Sequence, residues 1–446
     1  MTLTNSTHIL VFPYPAQGHM IALLDLTHQL VIRGLTITIL VTPKNLPILN
    51  PLLSTHPTIQ TLVLPFPIHP SIPPGVENTK DLPNGSFRTM MRVLAELSYP
   101  ITQWFNSHPS PPVAILSDMF LGWTTNSQFN SRNDPNDENE LIPFPNFPNS
   151  PNYPWYQLSN LFRTYVKGDP DSEFTRDGLC ANMVSWGVIF NSFNELESVY
   201  LDHIKNDLGR KRVFAVGPLV PPIDAPKERG GSSSIKVNDL LGWLDTCSDR
   251  SVVYVCFGSQ VVLNNRQMEE LALGLEKSGT RFVWSVKEAT TGHVAGEYGV
   301  VPSGFEDRVA GRGFVIKGWA PQVVILNHRA VGSFLTHCGW NSLLEAIIAG
   351  VPMLTWPMGA DQYINSELLV ERIGVAVKVC QGGLTVPNAD ELALKFSESV
   401  GENQLLSERA KELSQAALNA VKDGGSSSRD LDGLVRELQL LSVEMK

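Results

Sequence analysis

Hydrophobic positions along the chain fall into two alternating rhythms. Short β-branched runs, "HILVFPY" (8–14), "LTITILVT" (35–42), "TLVLPF" (61–66), "VAILS" (113–117) and "WGVIFNS" (186–192), read as strands bounded by Pro, Gly or polar residues. Between them, "MIALLDLTHQLVIRG" (20–34) and residues 86–106 repeat their apolar positions at helical spacing. Strands alternating with helices predict a parallel sheet covered on both faces. The rhythm lapses over "VGPLVPPIDAPKERGGSSSIK" (216–236), where Pro, Gly and Ser crowd together, and then resumes. A helix over 237–245 is followed by the strands "SVVYVCF" (251–257), "RFVWSV" (281–286), "GFVIKG" (313–318), "GSFLTH" (332–337), "PMLTW" (352–356) and "GVAVKV" (374–379), with helices between them and a helical tail over 388–442. The pattern predicts an α/β protein of two doubly wound parallel-sheet domains: 1–217, a linker over 218–236, and 237–446, with the final helix packing back on the N-terminal domain. Two such domains are expected to face each other across a cleft and to bind ligands at the carboxyl ends of their strands.

Composition narrows the function classes. With 43% hydrophobic and 17% charged residues, the 446-residue chain is globular and long enough for two or three domains. A net charge of −10 without a basic stripe argues against a nucleic-acid partner. No apolar run approaches membrane-spanning length and the N-terminus lacks a basic leader, so neither a membrane span nor a signal peptide is expected. The five scattered cysteines include no C-x-x-C and suit a reducing, cytoplasmic setting.

The stretch "THCGWNSLLEAIIAG" (336–350) carries the chemistry. His328 and His337 lie on different elements without a partner set for zinc. Cys338 has no base or oxyanion site in view. As a strand-to-helix turn, the stretch instead puts Asn341 and Ser342 near a first helical turn, where unpaired N–H groups and the helix dipole favour an anion. Simple helix capping by the same two residues is the competing reading.

The surroundings decide between them. From Trp319 to Gln362 runs "WAPQVVILNHRAVGSFLTHCGWNSLLEAIIAGVPMLTWPMGADQ", which closely resembles the 44-residue signature box of the plant secondary-product UDP-glycosyltransferases, at the same length. "FPYPAQGHM" at the start, "VGPL" in the linker and "FGSQ" (257–260) resemble that family too, so the likeness covers nearly the whole chain. It implies the GT-B arrangement of two Rossmann-like domains and, residue by residue, a donor site. Trp319 would stack on uracil and Ala320 pair with its edge. Gln322 and Glu345 would bond the ribose hydroxyls. His337, Asn341, Ser342 and Ser259 would hold the diphosphate; Trp340, Asp361 and Gln362 would line the sugar, and Gly18 is placed with the donor set. His19 in "PAQGH" would be the general base and Asp118 the carboxylate that orients it.

The implied reaction is inverting transfer of glucose from UDP-glucose to an oxygen of a small lipophilic acceptor such as a flavonoid. UDP-glucose acts as co-substrate, with no metal or other cofactor, in a monomer. The acidic runs "DPD" (169–171) and "NDPNDENE" (133–140) read as solvated loops, not metal sites. The alternatives are a rhamnosyl-, xylosyl- or glucuronosyltransferase, and a catalytically impaired UDP-sugar-binding protein. The last arises from a departure: after Asp118 the family pattern calls for a helix and a strand, yet no strand is legible between 119 and 185. About one βα unit, on the order of thirty residues, is missing from the N-terminal sheet.

Overall fold

The computed structural model describes residues 7–82, 87–121, 137–219, 231, 233–289, 294, 296–401 and 404–444. Strand β1 (His8–Phe12) is buried at every position, as a strand with both faces covered must be. It leads into helix Gln17–Ile32 and pairs in parallel with β2 (Thr36–Val41), which in turn pairs with β3 (Gln60–Val63); β4 (Ala114–Ser117) lies on the other side of β1. The order is β3-β2-β1-β4. Alternate side chains serve opposite faces: Ile9, Val11, Ile37 and Ile39 pack with Met20, Leu26 and Leu30 of the first helix, and Leu10, Phe12 and Leu40 pack with Met90, Met91 and Leu94. The helical pattern over 86–106 is realised as two helices, Phe87–Leu94 and Ser98–Ser107, joined by a single 3₁₀ turn.

After β4 the chain departs from the doubly wound pattern. Two short strands do occur between 119 and 185, contrary to the sequence reading: β5 (Leu141–Pro143) and β6 (Asn152–Pro154) form an antiparallel pair. Each is only three residues long and ends in proline, so no extended β-branched run marked them. Neither joins β4. The strands β7 (Val188–Phe190) and β8 (Val213–Ala215) pair in parallel with each other as a separate two-stranded sheet. Phe214 and Val216 nevertheless share an apolar core with β1, β2 and the half-buried Leu116. Thus β4 and the β7–β8 pair share a core but, among the described residues, no ladder. Among the described residues no strand pairs with the far side of β4, and Ile115 is 50% exposed. This is the geometry expected when the unit that should bridge the two sheets is missing.

The second sheet is complete and wholly parallel. Its strands are β9 (Val252–Cys256), β10 (Arg281–Val286), β11 (Gly313–Lys317), β12 (Val331–Thr336), β13 (Met353–Thr355) and β14 (Ala376–Lys378), in the order β11-β10-β9-β12-β13-β14. β12 is buried at all six positions.

The described residues divide into two compact units: one drawn from 1–131, 164–221 and 420–446, the other from 132–163 and 222–419. The change at 221/222 falls inside the expected linker, most of which lies outside the described residues. One segment departs from the division read along the sequence, while the final helix packs where the sequence reading put it. Residues 137–163, with the β5–β6 pair, belong to the second unit, where the Tyr156 hydroxyl accepts from Gln381 Nε2 at 3.1 Å and its ring meets Tyr363 edge-on at 5.8 Å. Helix Ser426–Glu444 belongs to the first unit, into whose core it sends Leu431, Leu434, Val435 and Leu438. There Asp430 accepts from the Ala215 N–H at 2.8 Å, and Asp432 and Glu437 pair with Arg33 and Arg212.

Candidate active site

In the first unit, β1 and β4 are parallel neighbours with Phe12 opposite Ser117, so the residues that follow them emerge at one sheet edge. His19 stands in the first turn of helix Gln17–Ile32 and Asp118 directly follows β4. Their side chains meet, His19 Nδ1 to Asp118 Oδ2 at 2.8 Å. The carboxylate is 5% exposed and the imidazole 30% exposed. Asp118 is fixed by its own neighbours: its N–H donates to Phe12 O, and its Oδ1 accepts from the Phe120 N–H at 3.0 Å. It therefore both caps the short 3₁₀ turn after β4 and holds the imidazole. Tyr14 and Phe120 pack on the imidazole, with ring centroids at 5.7 and 4.7 Å. Burial, assisted by the Asp118 charge, pushes the Tyr14 phenol well above its usual range, so it is a neutral wall. A buried carboxylate on Nδ1 fixes the tautomer that makes Nε2 the basic nitrogen and stabilises the imidazolium formed on proton uptake.

In the second unit, the residues singled out from the box lie along the carboxyl edge of the sheet, in the spatial order of the strands. Trp319 follows β11, Ser259 follows β9, His337 follows β12, and Asp361 and Gln362 follow β13. β9 and β12 pair with Cys256 opposite Thr336, which brings the turns after them together. His337 lies so close that a Cβ on Gly258 or Gly339 would come within 2.5 Å of its Nε2, so both positions require glycine. His337 is half-buried as a residue, and its Nδ1 is enclosed without a protein partner. Burial lowers its pKa to about 4, so at neutral pH it offers a neutral N–H and not a cation.

Helix Trp340–Ala349 begins beside it with Gly339 at the N-cap and no side chain closing its first turn. Asn341 and Ser342 are not the caps that the competing reading supposed. Ser342 Oγ instead accepts from Gln322 Nε2 at 3.0 Å. The same amide reaches Glu345 Oε2 at 2.7 Å, and Gln322 Oε1 accepts from the Tyr254 hydroxyl at 3.2 Å. Glu345 is 6% exposed, and this network is what makes its burial tolerable. Cys338 takes a left-handed φ of 66° and is fully buried; its thiol is pushed far above the usual range by burial, which removes it as a nucleophile.

Asp361 occupies the N-cap position of helix Gln362–Glu367, but its carboxylate does not cap; Oδ2 accepts from Asn365 Nδ2 at 2.8 Å, and that amide also donates to Cys338 O. Asn365 thereby ties the turn after β13 to the turn after β12. Gln362 Oε1 accepts from the Met358 and Gly359 N–H groups. Ala320 is buried next to the half-buried Trp319. Gly18 lies in the first unit, beside His19 in the first turn of helix Gln17–Ile32. Sequence reasoning missed Tyr254, Asn365 and Lys287; only Lys287, a charge closing the apolar run of β10 whose ammonium contacts Ser259 O, left a signal.

The run at 169–171 resolves differently from its reading as a solvated loop, whereas the described part of the other, 137–140, is an exposed turn. Asp169 caps helix Pro170–Ala181 through the Ser172 N–H, and Asp171 is bound by Thr89 and Arg92. Residues 133–136 lie outside the described residues, and Glu138 pairs with Arg163. Among the described residues no group of three or more His, Cys, Asp or Glu comes together, and no helix is long and apolar enough to cross a membrane.

Residues 237–414 match the family model described as UDP-glucoronosyl and UDP-glucosyl transferase. Over 463 aligned positions the chain is 58% identical to UDP-glycosyltransferase 89B2 of Stevia rebaudiana, with 97% of this chain and 98% of the relative covered. The chain belongs to the plant UDP-glycosyltransferases. It is 51% identical to the flavonol 3-O-glucosyltransferase UGT89B1 of Arabidopsis thaliana, with 98% of this chain and 97% of that protein covered. Among solved structures, Arabidopsis thaliana UGT89C1 complexed with UDP-L-rhamnose superposes with a TM-score of 0.80 at 38% identity, covering 97% of this chain and 99% of that one. The UDP-glycosyltransferase fold, GT-B, is therefore the fold of this chain, and the protein is a UDP-dependent glycosyltransferase. The 463 positions aligned with the Stevia UDP-glycosyltransferase outnumber this chain's 446 residues although only 97% of the chain is aligned, so roughly thirty positions of that relative have no counterpart here. That is the size of one βα unit.

Proposed function

We propose that this UDP-glycosyltransferase transfers glucose from UDP-glucose to a hydroxyl of a small phenolic acceptor of the flavonol kind, without a metal and with inversion at the anomeric carbon. The observation that carries the catalytic half is the 2.8 Å bond from buried Asp118 to His19 Nδ1. His19 Nε2 takes the proton of the acceptor hydroxyl, the oxygen attacks the anomeric carbon opposite UDP, and the C–O bond to the diphosphate breaks. The electron pair leaves on the β-phosphate. The neutral His337, Ser259, and the N–H groups of Asn341 and Ser342 in the first turn of helix Trp340–Ala349 stabilise that charge.

The strand order supports the placing of the donor: Trp319 for the base, the β9 and β12 turns for the diphosphate, and Asp361 with Gln362 for the sugar follow one another as the parts of UDP-glucose do. Asp361 supplies acceptor oxygens. Gln362, whose carbonyl is held by Met358 and Gly359, turns its amide donors to the sugar hydroxyls. A site built to pair particular hydroxyls discriminates strongly against mispaired analogues. The flavonol 3-O-glucosyltransferase relative supports glucose and a flavonol. The structure complexed with UDP-L-rhamnose makes rhamnose the second reading. The purified protein is assayed with mixed phenolics against UDP-glucose, UDP-galactose, UDP-glucuronate and UDP-rhamnose, with products read by mass. A hexose adduct formed fastest from UDP-glucose is expected; equal or faster transfer from UDP-rhamnose would sink the donor assignment.

A further inference from the structure

The roles above leave the linker unused, yet its last residues hold Trp319 from several directions within the second unit. The Trp319 N–H donates to Ser234 Oγ at 2.7 Å, and Trp319 O accepts from the Ser234 N–H at 2.9 Å. One residue thus engages both polar groups of the Trp319 main chain. Gly318, just before the tryptophan, has a φ of 109°, and any Cβ there would collide with the Ser234 hydroxyl, so the glycine is what admits that hydroxyl. Gly231 lies against the indole: a Cβ built on it would stand 3.4, 3.5 and 3.5 Å from Trp319 Cδ2, Cε2 and Cγ. Near-equal distances to three contiguous ring atoms place that contact over the ring face and not at its edge. The linker therefore covers one face of the indole with a residue that has no side chain.

We propose that Ser234 is a positioning residue for the donor nucleotide. It sets the attitude of the Trp319 indole so that one face rests on Gly231 and the other receives the uracil. This rests on the reading of Trp319 as the base platform. A half-buried aromatic held only by its own rotamers would lose freedom each time a base stacked on it; one clamped beforehand does not. The device is specific to the base, because no atom of Ser234 is asked to touch the ligand and the diphosphate turns lie on other strands.

The test is calorimetric titration of the full chain with UDP and with inorganic pyrophosphate, for wild type, Ser234→Ala, Ser234→Thr, Trp319→Ala and the Ser234→Ala/Trp319→Ala double variant. Thermal melts are run in parallel. Ser234→Ala removes one hydrogen bond and is expected to weaken UDP roughly 3- to 10-fold. Pyrophosphate affinity and the melting temperature should stay unchanged, and Ser234→Thr, which keeps the hydroxyl, should restore UDP affinity. Because Ser234 acts through the indole, the double variant should bind UDP no more weakly than Trp319→Ala alone. If Trp319→Ala leaves UDP affinity unchanged, the base-platform reading itself fails. If Trp319→Ala weakens UDP but Ser234→Ala does not, or the two losses add, the positioning role is overturned. A Ser234→Ala variant that loses UDP and pyrophosphate equally, with a lowered melt, overturns it as well by showing a general structural role.

Discussion

His19 and Asp118 are 99 residues apart in sequence and 2.8 Å apart in the fold, joined because β1 and β4 run side by side and release them at the same edge. A carboxylate buried to 5% exposure at that distance favours a charged imidazole over a neutral one. Replacing His19 with Ala is expected to lower transfer by roughly 10²- to 10⁴-fold, the usual worth of general-base catalysis. Asp118→Asn keeps the shape and loses the charge, and should cost a comparable factor. UDP affinity, measured by calorimetry, should be near wild type in both variants, since the donor cluster belongs to the other unit. A His19→Ala protein that turns over normally refutes the assignment.

Gln322 and Glu345 give a second prediction. The amide is the partner seen on Glu345 Oε2, and Glu345 lies inside a helix face otherwise made of Leu, Ala and Ile. Gln322→Leu leaves a buried carboxylate without that donor, which costs about 1–3 kcal/mol. Denaturation of the second unit should shift accordingly, and UDP should bind more weakly. Unchanged stability together with unchanged UDP affinity would count against both the network and its assignment to the ribose.

His337 provides a pH test. Its pKa is lowered from 6.5 to about 4 by burial, so the folded state resists a proton that the unfolded state accepts. Above about pH 6.5 both states are neutral and nothing is lost. As pH falls from there toward 4, the unfolded state gains protons first and stability declines, by at most about 1.4 kcal/mol per pH unit for one group. Denaturant midpoints collected between pH 7 and 4 should fall less steeply for His337→Asn than for wild type. Parallel slopes would show that the imidazole titrates normally.

The far side of β4 leads to a fourth prediction. A sheet that, among the described residues, shares a core but no ladder with β7–β8 lacks the hydrogen bonds and apolar cover that a bridging βα unit would supply. The first unit should therefore unfold at lower temperature than the second. Grafting the βα unit of the Stevia relative after Asp118 should raise the first transition and the rate of glucosyl transfer. A single cooperative melt of the unaltered chain, with turnover matching the grafted protein, would show that the gap is harmless.

What could be read from the sequence follows from how local each signal was. The eleven strands expected from the sequence carry their pattern in consecutive residues, and the box fixes its turns by position. The partners inside the site were less accessible. Glu345 looked like a lone carboxylate on an apolar face, and its amide, Gln322, sits on a different element. Asp361 looked like a helix cap, but the residue that holds it is Asn365, one turn on. The β5–β6 pair was invisible because three-residue strands ending in proline show no period; only the burial of Ile142 and Tyr153 opposite each other betrays them. Their place in the second unit is a matter of tertiary contact, through Tyr156, that no local rule addresses.

Helix Ser426–Glu444 has a bearing on how the protein is made. Its leucines complete a core whose other walls are β1, β2 and the helix that follows β1. A ribosome delivers those walls first and the closing helix only after the whole second unit has been synthesised. The earliest part of the chain must therefore wait, with its apolar face uncovered, while later sequence folds ahead of it. Synthesis order and packing order run in opposite directions here, and an interruption of translation between residues 419 and 426 releases a chain whose second unit has all its residues while its first unit lacks the helix that closes its core.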